Sequence, residues 1–153
     1  MSRRDQIRMT EGEIDTFLRE NKTLNVATHG PGGRIHLVAM WYGFFDDGAL
    51  GFWTYGKSQK ILNLQRDPRM TCLVETGDEY AKLKGVEIVG TGEVVTDRDA
   101  VMEIGRSVFE RYTGPWSDAA APAVEQMGAK RHAVRVVPEK MVTWDHTKLG
   151  GVY

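Results

Sequence analysis

The sequence has a single cysteine, Cys72, and only five prolines among its 153 residues. One cysteine excludes a disulfide framework, so a reducing, cytoplasmic setting is the simplest expectation. No apolar run approaches the roughly 18 residues of a transmembrane helix, and the first residues, MSRRDQIRMTEGE, lack the apolar core of a secretory signal. A formal net charge of -1 gives no general basis for binding nucleic acid.

The motifs of several enzyme classes are also missing. The four histidines form neither an HxH nor an HxxxH pair, so we expect no metal site: His29, His36, His132 and His146. There is no G-x-S-x-G nucleophile elbow, and Cys72 has no histidine near it in sequence. No P-loop is present, and no G-x-G-x-x-G segment follows a strand to open a helix. The residues by themselves therefore identify no catalytic group.

The chain does contain many short segments whose composition and alternation are typical of β-strands. The predicted strands are residues 23–29, 34–42, 49–55, 70–76, 86–96, 132–137 and 141–144, the last two lying around Pro138. The predicted helices are residues 10–20, opened by the capping-box pair Thr10 and Glu13, and residues 57–66, 97–112 and 123–130. Because strands dominate and no linker divides the chain, we expect one domain over residues 1–153. Its expected fold is mainly β (α+β), an antiparallel barrel with a few peripheral helices.

The segment GFWTYGKSQKILNLQRDP, residues 51–68, raises a question of charge. After Gly56, the residues Lys57, Ser58 and Lys60 occupy the predicted first turn of a helix. A helix N-terminus already carries partial positive charge on its free N–H groups, so two ammonium groups there are slightly unfavourable without an anion. Two lysines in such a place are most often solvated surface, and the alternative is a site for an anion.

Three segments resemble the flavin-binding split-barrel superfamily that is related to pyridoxamine 5'-phosphate oxidase. They are FWTYGKSQKILNLQRDPRMTCLVE at 52–75, VEIVGTGEVV at 86–95 and VVPEKMVTWDH at 136–146. The first matches the family pattern of an aromatic-threonine strand end, a Ser-x-Lys phosphate clamp, a short helix and an (Asn/Asp)-Pro-Arg step. The resemblance covers nearly the whole chain. It implies a six-stranded split barrel that forms a homodimer with two cofactor sites at the subunit interface.

The resemblance also implies the residues that bind the cofactor. Thr54, Ser58 and Lys60 would hold its phosphate, with Lys57 as an additional cation. One strand would run along the ring system of the cofactor, with its backbone amides toward the pyrimidine edge of the rings. This strand consists of Val38, Ala39, Met40 and Trp41. Trp144 would cover the site from the second subunit.

Departures from the oxidase pattern narrow the range of activities that the resemblance implies. Gln59 stands where the oxidase has a second basic phosphate ligand, and Gly85 stands where it has a glutamine near the flavin. The oxidase's C-terminal arginine-histidine motif is absent from the ending DHTKLGGVY, so oxidation of pyridoxamine phosphate is not expected. The segments WYGF, YGKSQKxxNLxRDP and WDHxKL are closer to the actinobacterial branch that uses the 8-hydroxy-5-deazaflavin coenzyme F420.

This branch implies an F420-dependent reductase, in which a hydride passes from the reduced deazaflavin to an electron-poor double bond of a small planar substrate. Basic residues that could form a rim for the coenzyme's polyglutamate tail are Lys57, Lys60, Arg66, Lys82, Lys84, Lys130 and Arg131. For a protonation step, solvent, Tyr42 and His146 stay open as alternatives.

Two other functions remain possible at this point. An FMN-binding oxidoreductase would need only the Ser58–Lys60 clamp for its single phosphate. A non-catalytic carrier would bind flavin, deazaflavin or haem without turnover, and haem would need one of the four histidines as its axial ligand.

Overall fold

A computed structural model describes residues 1–151 of the chain. Its α-helices are α1 Arg3–Gln6, α2 Glu11–Glu20, α3 Gln59–Arg66, α4 Arg98–Tyr112 and α5 Ala121–Gly128. Its strands are β1 Leu24–His29, β2 Ile35–Met40, β3 Gly43–Phe44, β4 Leu50–Tyr55, β5 Arg69–Thr76, β6 Lys84–Val95 and β7 Arg131–Asp145. Within residues 1–151 the longest helix, α4, has 15 residues, and no helix combines the length and apolarity needed to cross a membrane.

All the strands pair antiparallel in one sheet, in the order β2-β1-β5-β6-β7-β4-β3. The described residues form seven strands, where the family resemblance implied six. The seven segments predicted from the sequence differ from these strands in two ways, which cancel in the count. The two-residue strand β3 is too short to show any periodicity in the sequence. The two predicted closing strands are one continuous strand, β7, which passes through Pro138.

A bulge lets β7 continue through this proline. Pro138 pairs with Gly90 and Lys140 pairs with Val89, so Glu139 is an extra residue in β7 at the register shift between Val89 and Gly90. Proline has no N–H for the ladder, and a bulge is a place in a sheet where that loss is tolerated. The strand therefore stays paired with β6 on both sides of Pro138.

The sheet curls around one apolar core. Val38 and Met40 of the edge strand β2 pack against the same buried cluster as Phe52 of β4 and Ile61 of α3. Inward side chains from opposite ends of the sheet thus share one interior, which is how a barrel buries its core. A second cluster lies outside the barrel, where Trp53 and Ala133 meet α4 and α5.

The starts of the two longest helices confirm the predicted caps. In α2, the Glu13 N–H donates to Thr10 Oγ1 at 3.2 Å, and the Thr10 N–H donates to Glu13 Oε2 at 2.8 Å. In α4, the Ala100 N–H donates to the Asp97 carboxylate at 3.0 Å. Both helices therefore satisfy part of their first turn with a side chain of their own.

Candidate anion-binding site

The turn between β4 and α3 exposes hydrogen-bond donors that no side chain caps. Ser58 is the N-cap of α3, but unlike Thr10 and Asp97 it makes no side-chain bond to the first turn of its helix. Its Oγ instead lies 3.4 Å from Thr54 Oγ1, and Thr54 is only 7% exposed at the end of β4. The first N–H groups of α3 therefore have no side-chain acceptor at the N-cap, and such N–H groups are suited to bind an anion.

Two ammonium groups flank this turn. Lys60 lies in the first turn of α3, and its partial burial lowers the pKa of its ammonium. Lys57 is exposed and lies just before the N-cap, because α3 begins at Gln59 rather than at the predicted residue 57. None of the ion pairs found within residues 1–151 includes either lysine. A cation that has lost water and gained no carboxylate favours the binding of an external anion.

His132 is a neighbour of the turn that the sequence did not identify. It lies directly opposite Thr54 in the pairing of β4 with β7. A Cβ placed on Gly56 would come within 2.7 Å of His132 Nε2, so the imidazole lies against the backbone of Gly56. His132 Nδ1 is buried and has no hydrogen-bond partner within residues 1–151. No sequence pattern indicates the contact with Gly56, since strand pairing brings the two segments together from distant parts of the chain.

Gly56 is needed for space rather than for its backbone conformation. It is not among the glycines with positive φ. Its N–H donates to the Lys130 carbonyl at 2.9 Å. The absent side chain instead makes room for the imidazole of His132.

Asn63 holds α3 in position against the barrel. It is completely buried, and its Nδ2 donates to Thr28 Oγ1 on β1 at 3.0 Å. Its Oδ1 accepts from Gln59 Nε2 at 2.7 Å and from Arg66 Nη2 at 3.3 Å. Gln59, which replaces a basic ligand of the oxidase pattern, therefore uses its amide to support the helix.

The segment predicted to contact the cofactor ring is the edge of the sheet. In residues 1–151, β2 pairs only with β1, so one side of its backbone has no neighbouring strand. Val38 and Met40 point toward the core, whereas Ala39 and Trp41 are exposed. Trp41 stacks on Tyr112 with ring centroids 4.3 Å apart. The free edge is compatible with the predicted contact between backbone amides and ring, and the contact itself stays a prediction.

Trp144 lies far from the phosphate clamp of its own chain. It is twelve positions after His132 on the continuous strand β7, a path of about 40 Å in extended chain. It pairs with Gly85 on the neighbouring strand β6, and a Cβ on Gly85 would overlap the indole ring of Trp144. The glycine that replaces the oxidase glutamine thus accommodates Trp144. The predicted contact of Trp144 with the cofactor site of a second subunit stays a prediction.

The predicted basic rim divides into separate groups. Lys130 and Arg131 adjoin the turn, because the Lys130 carbonyl accepts from Gly56 and Arg131 pairs with Tyr55. Lys82 and Lys84 lie at the Trp144 end of the sheet, where Lys84 pairs with Asp145. Arg66, at the end of α3, donates to the His29 carbonyl at 2.6 Å. One chain therefore does not gather the seven cations around one site.

The structure removes one of the two candidate proton donors. The Tyr42 side chain is fully buried, and its hydroxyl lies within hydrogen-bond distance of the Leu18 and Asn21 carbonyls. Burial raises the pKa of Tyr42 to about 12. His146 Nδ1 lies 2.8 Å from the Tyr80 carbonyl, at the Trp144 end of the sheet. No residue is left as an assigned acid beside the clamp.

The outer side of the sheet is apolar and exposed. On β2, Ile35 is 73% exposed, Leu37 is 69% exposed and Trp41, just after the strand, is 59% exposed. The register continues this face from Leu37 through Ala27 on β1 and Thr71 on β5 to Val89 on β6. Contiguous apolar surface of this kind marks an interaction site.

Comparisons with known proteins identify the fold. The family model described as pyridoxamine 5'-phosphate oxidase matches residues 10–145. The conserved hypothetical protein Rv2991 from Mycobacterium tuberculosis is 45% identical, with a TM-score of 0.95 over 100% of this chain and 95% of that chain. No curated protein matches significantly. The predicted mainly β, α+β split barrel is confirmed.

Two further solved structures share the fold at lower identity. A protein described as F420 reductase is 25% identical, with a TM-score of 0.61 over 83% of this chain and 94% of that chain. The FAD-binding protein mll6688 from Mesorhizobium loti is 16% identical, with a TM-score of 0.63 over 90% of this chain and 94% of that chain. At 16% identity the second likeness concerns the fold alone.

Proposed function

Because the chain belongs to the pyridoxamine 5'-phosphate oxidase family, we propose that it is an F420-dependent reductase with its cofactor phosphate at the turn between β4 and α3. Its substrate would be a small planar molecule with an electron-poor double bond. The observation that carries the proposal is the environment of Lys60. Its partly buried ammonium makes no ion pair within residues 1–151, and it lies at a helix start that no side chain caps.

The residues at the turn fit a phosphate group. The Ser58 hydroxyl and the free N–H groups of α3 can donate to its oxygens, and Lys60 and Lys57 can neutralise its charge. Thr54 orients Ser58, and the Asn63–Thr28 bond fixes the helix. When bound, the reduced deazaflavin supplies the hydride. The protein's part is to place the ring along the free edge of β2 and to limit the access of water.

Extra cations near the turn favour coenzyme F420 over FMN. Lys57 and Lys130 are exposed, and neither takes part in an ion pair found within residues 1–151. FMN has a single phosphate, which Ser58 and Lys60 could satisfy alone, whereas F420 adds an anionic polyglutamate tail. The likeness to an F420 reductase at 25% identity supports the same choice. An FMN-binding oxidoreductase is the second candidate, since the same clamp would suffice for it.

A homodimer would complete the site. The exposed apolar face around Leu37 offers a surface for a partner, and Trp144, at the opposite end of the sheet from the turn, would reach the phosphate clamp of another copy of the chain. We expect light scattering to give twice the chain mass. Leu37→Asp should yield a folded monomer with weak cofactor binding, whereas Met127→Asp should stay dimeric, because Met127 is also exposed but lies on α5. A wild-type monomer that binds the cofactor tightly would refute the shared site.

The first experiment is a pair of titrations of the apo-protein, with coenzyme F420 and with FMN, followed by tryptophan fluorescence. We expect F420 to bind at least about tenfold more tightly than FMN, a difference of about 1.4 kcal/mol. A preference for FMN would assign the protein to the FMN alternative. Binding of neither would contradict both proposals. Tight F420 binding without reduction of any quinone or enone would indicate a carrier rather than a reductase.

A further inference from the structure

His132 has one ring nitrogen in the protein interior and the other at the anion-binding turn. Nδ1 is buried without a partner, while the side chain as a whole keeps some exposure. Nε2 is the ring atom nearest to the position that a Cβ on Gly56 would occupy. The ring also shares a sheet face with Thr54, whose hydroxyl contacts Ser58. The imidazole therefore points its Nε2 edge toward the group of donors described above.

The missing partner of Nδ1 selects one form of the imidazole. A proton on Nδ1 would leave a buried N–H without an acceptor, and buried N–H groups without partners are rare in proteins. We therefore expect the ring proton on Nε2, because the surroundings of one ring nitrogen set the state of the other. In this form His132 offers an N–H donor at the turn.

We propose that His132 is a fifth phosphate-binding residue, which donates a hydrogen bond from Nε2 to the anion held by Thr54, Ser58, Lys57 and Lys60. This inference rests on the proposed phosphate site. It explains why glycine is required at position 56, because only a residue without Cβ lets the imidazole ring approach the turn.

Imidazole NMR tests this inference without any enzymatic assay. Long-range proton–nitrogen spectra of the apo-protein should show His132 in the Nε2–H form. Titration with inorganic phosphate should shift the Nε2 resonance together with the amide of Lys60. A proton on Nδ1, or a His132 signal that phosphate leaves unchanged, would overturn the proposal. This outcome does not depend on which cofactor the protein uses, so it is distinguishable from a failure to bind coenzyme F420.

Matched variants separate a direct contact from a structural role. His132→Phe keeps a ring but loses the donor, and His132→Gln keeps an N–H near the position of Nε2. For coenzyme F420 we expect about a tenfold loss of affinity in His132→Phe and nearly full affinity in His132→Gln. For the phosphate-free deazaflavin fragment that ends at the ribityl hydroxyl, both variants should bind like the wild type. An equal loss for both ligands in His132→Phe would show a structural role only and would overturn the proposal.

Discussion

The backbone of Gly56 lies against the imidazole of His132, so closely that a methyl group on Gly56 would come within 2.7 Å of Nε2. This contact joins the turn after β4 to the first residues of β7. Gly56→Ala must push either the ring or the turn away, because a contact this short is not tolerated. We expect at least about a tenfold loss of cofactor affinity with a modest decrease in Tm, measured by titration and thermal unfolding. Gly114→Ala is the control, since a Cβ there meets no atom within 4 Å.

Removing the two lysines at the turn should weaken cofactor binding without unfolding the protein. Lys57→Ala combined with Lys60→Ala removes the charge-assisted contacts to phosphate and no core side chain. We expect a loss of affinity of about a hundredfold and a weaker dependence of affinity on salt. Arg3→Ala combined with Arg106→Ala makes the same change in net charge at exposed positions elsewhere. An unchanged dissociation constant in the lysine variant would refute the phosphate site.

The lowered pKa of Lys60 predicts a dependence of stability on pH. Burial lowers its folded-state pKa below that of an ordinary lysine, so the unfolded chain binds more protons in the window between the two values. The free energy of unfolding attributable to Lys60 should therefore rise as pH rises through that window. Below the window, charged Lys60 should make the wild type less stable than Lys60→Met, and the difference should narrow with increasing pH. Chemical denaturation at several alkaline pH values measures this difference, and bound phosphate should abolish it.

A mixing experiment tests whether Trp144 acts in the partner's site. Trp144→Ala and the Lys57→Ala, Lys60→Ala variant should each bind the cofactor poorly as homodimers. In a mixed dimer, a residue acting across the interface leaves one site with both defects and the other site intact. Mixed dimers should therefore recover about half of the wild-type binding capacity. If Trp144 acted within its own chain, both sites would keep one defect and no recovery would be seen.

The local features of the site could be predicted from the sequence. Ser58 and Lys60 lie at the start of α3 as predicted, because apolar spacing within one short segment indicates the helix, although it begins at Gln59 rather than at residue 57. His132 could not be found in the same way, since only the pairing of β4 with β7 brings it to Thr54. Tyr42 is excluded as a proton donor for a similar reason. Its side chain is buried, and its hydroxyl lies within hydrogen-bond distance of the Leu18 and Asn21 carbonyls, which are distant along the chain.

The basic rim shows the limit of reasoning from charge alone. Lys84 and Lys130 have the same chemistry, and nothing in the sequence separates them into different groups. The register places Lys84 beside Trp144 and Asp145, whereas Lys130 adjoins Gly56. If the two ends of the sheet meet across a dimer, Lys84 would reach the site of the partner rather than that of its own chain.

The extra residue Glu139 changes which residues of β7 face into the barrel: even-numbered residues face inward before it and odd-numbered residues after it. Before it, Val134 and Val136 point into the barrel, as does His132. After it, the inward positions are those of Met141 and Thr143, which pair with the buried Ile88 and Val86, so Trp144 points outward. In a strand without the bulge, residues an even number of positions apart would share a face, and Trp144 would turn into its own core. One inserted residue therefore lets a single strand present His132 on the inner face of the sheet and Trp144 on the outer face.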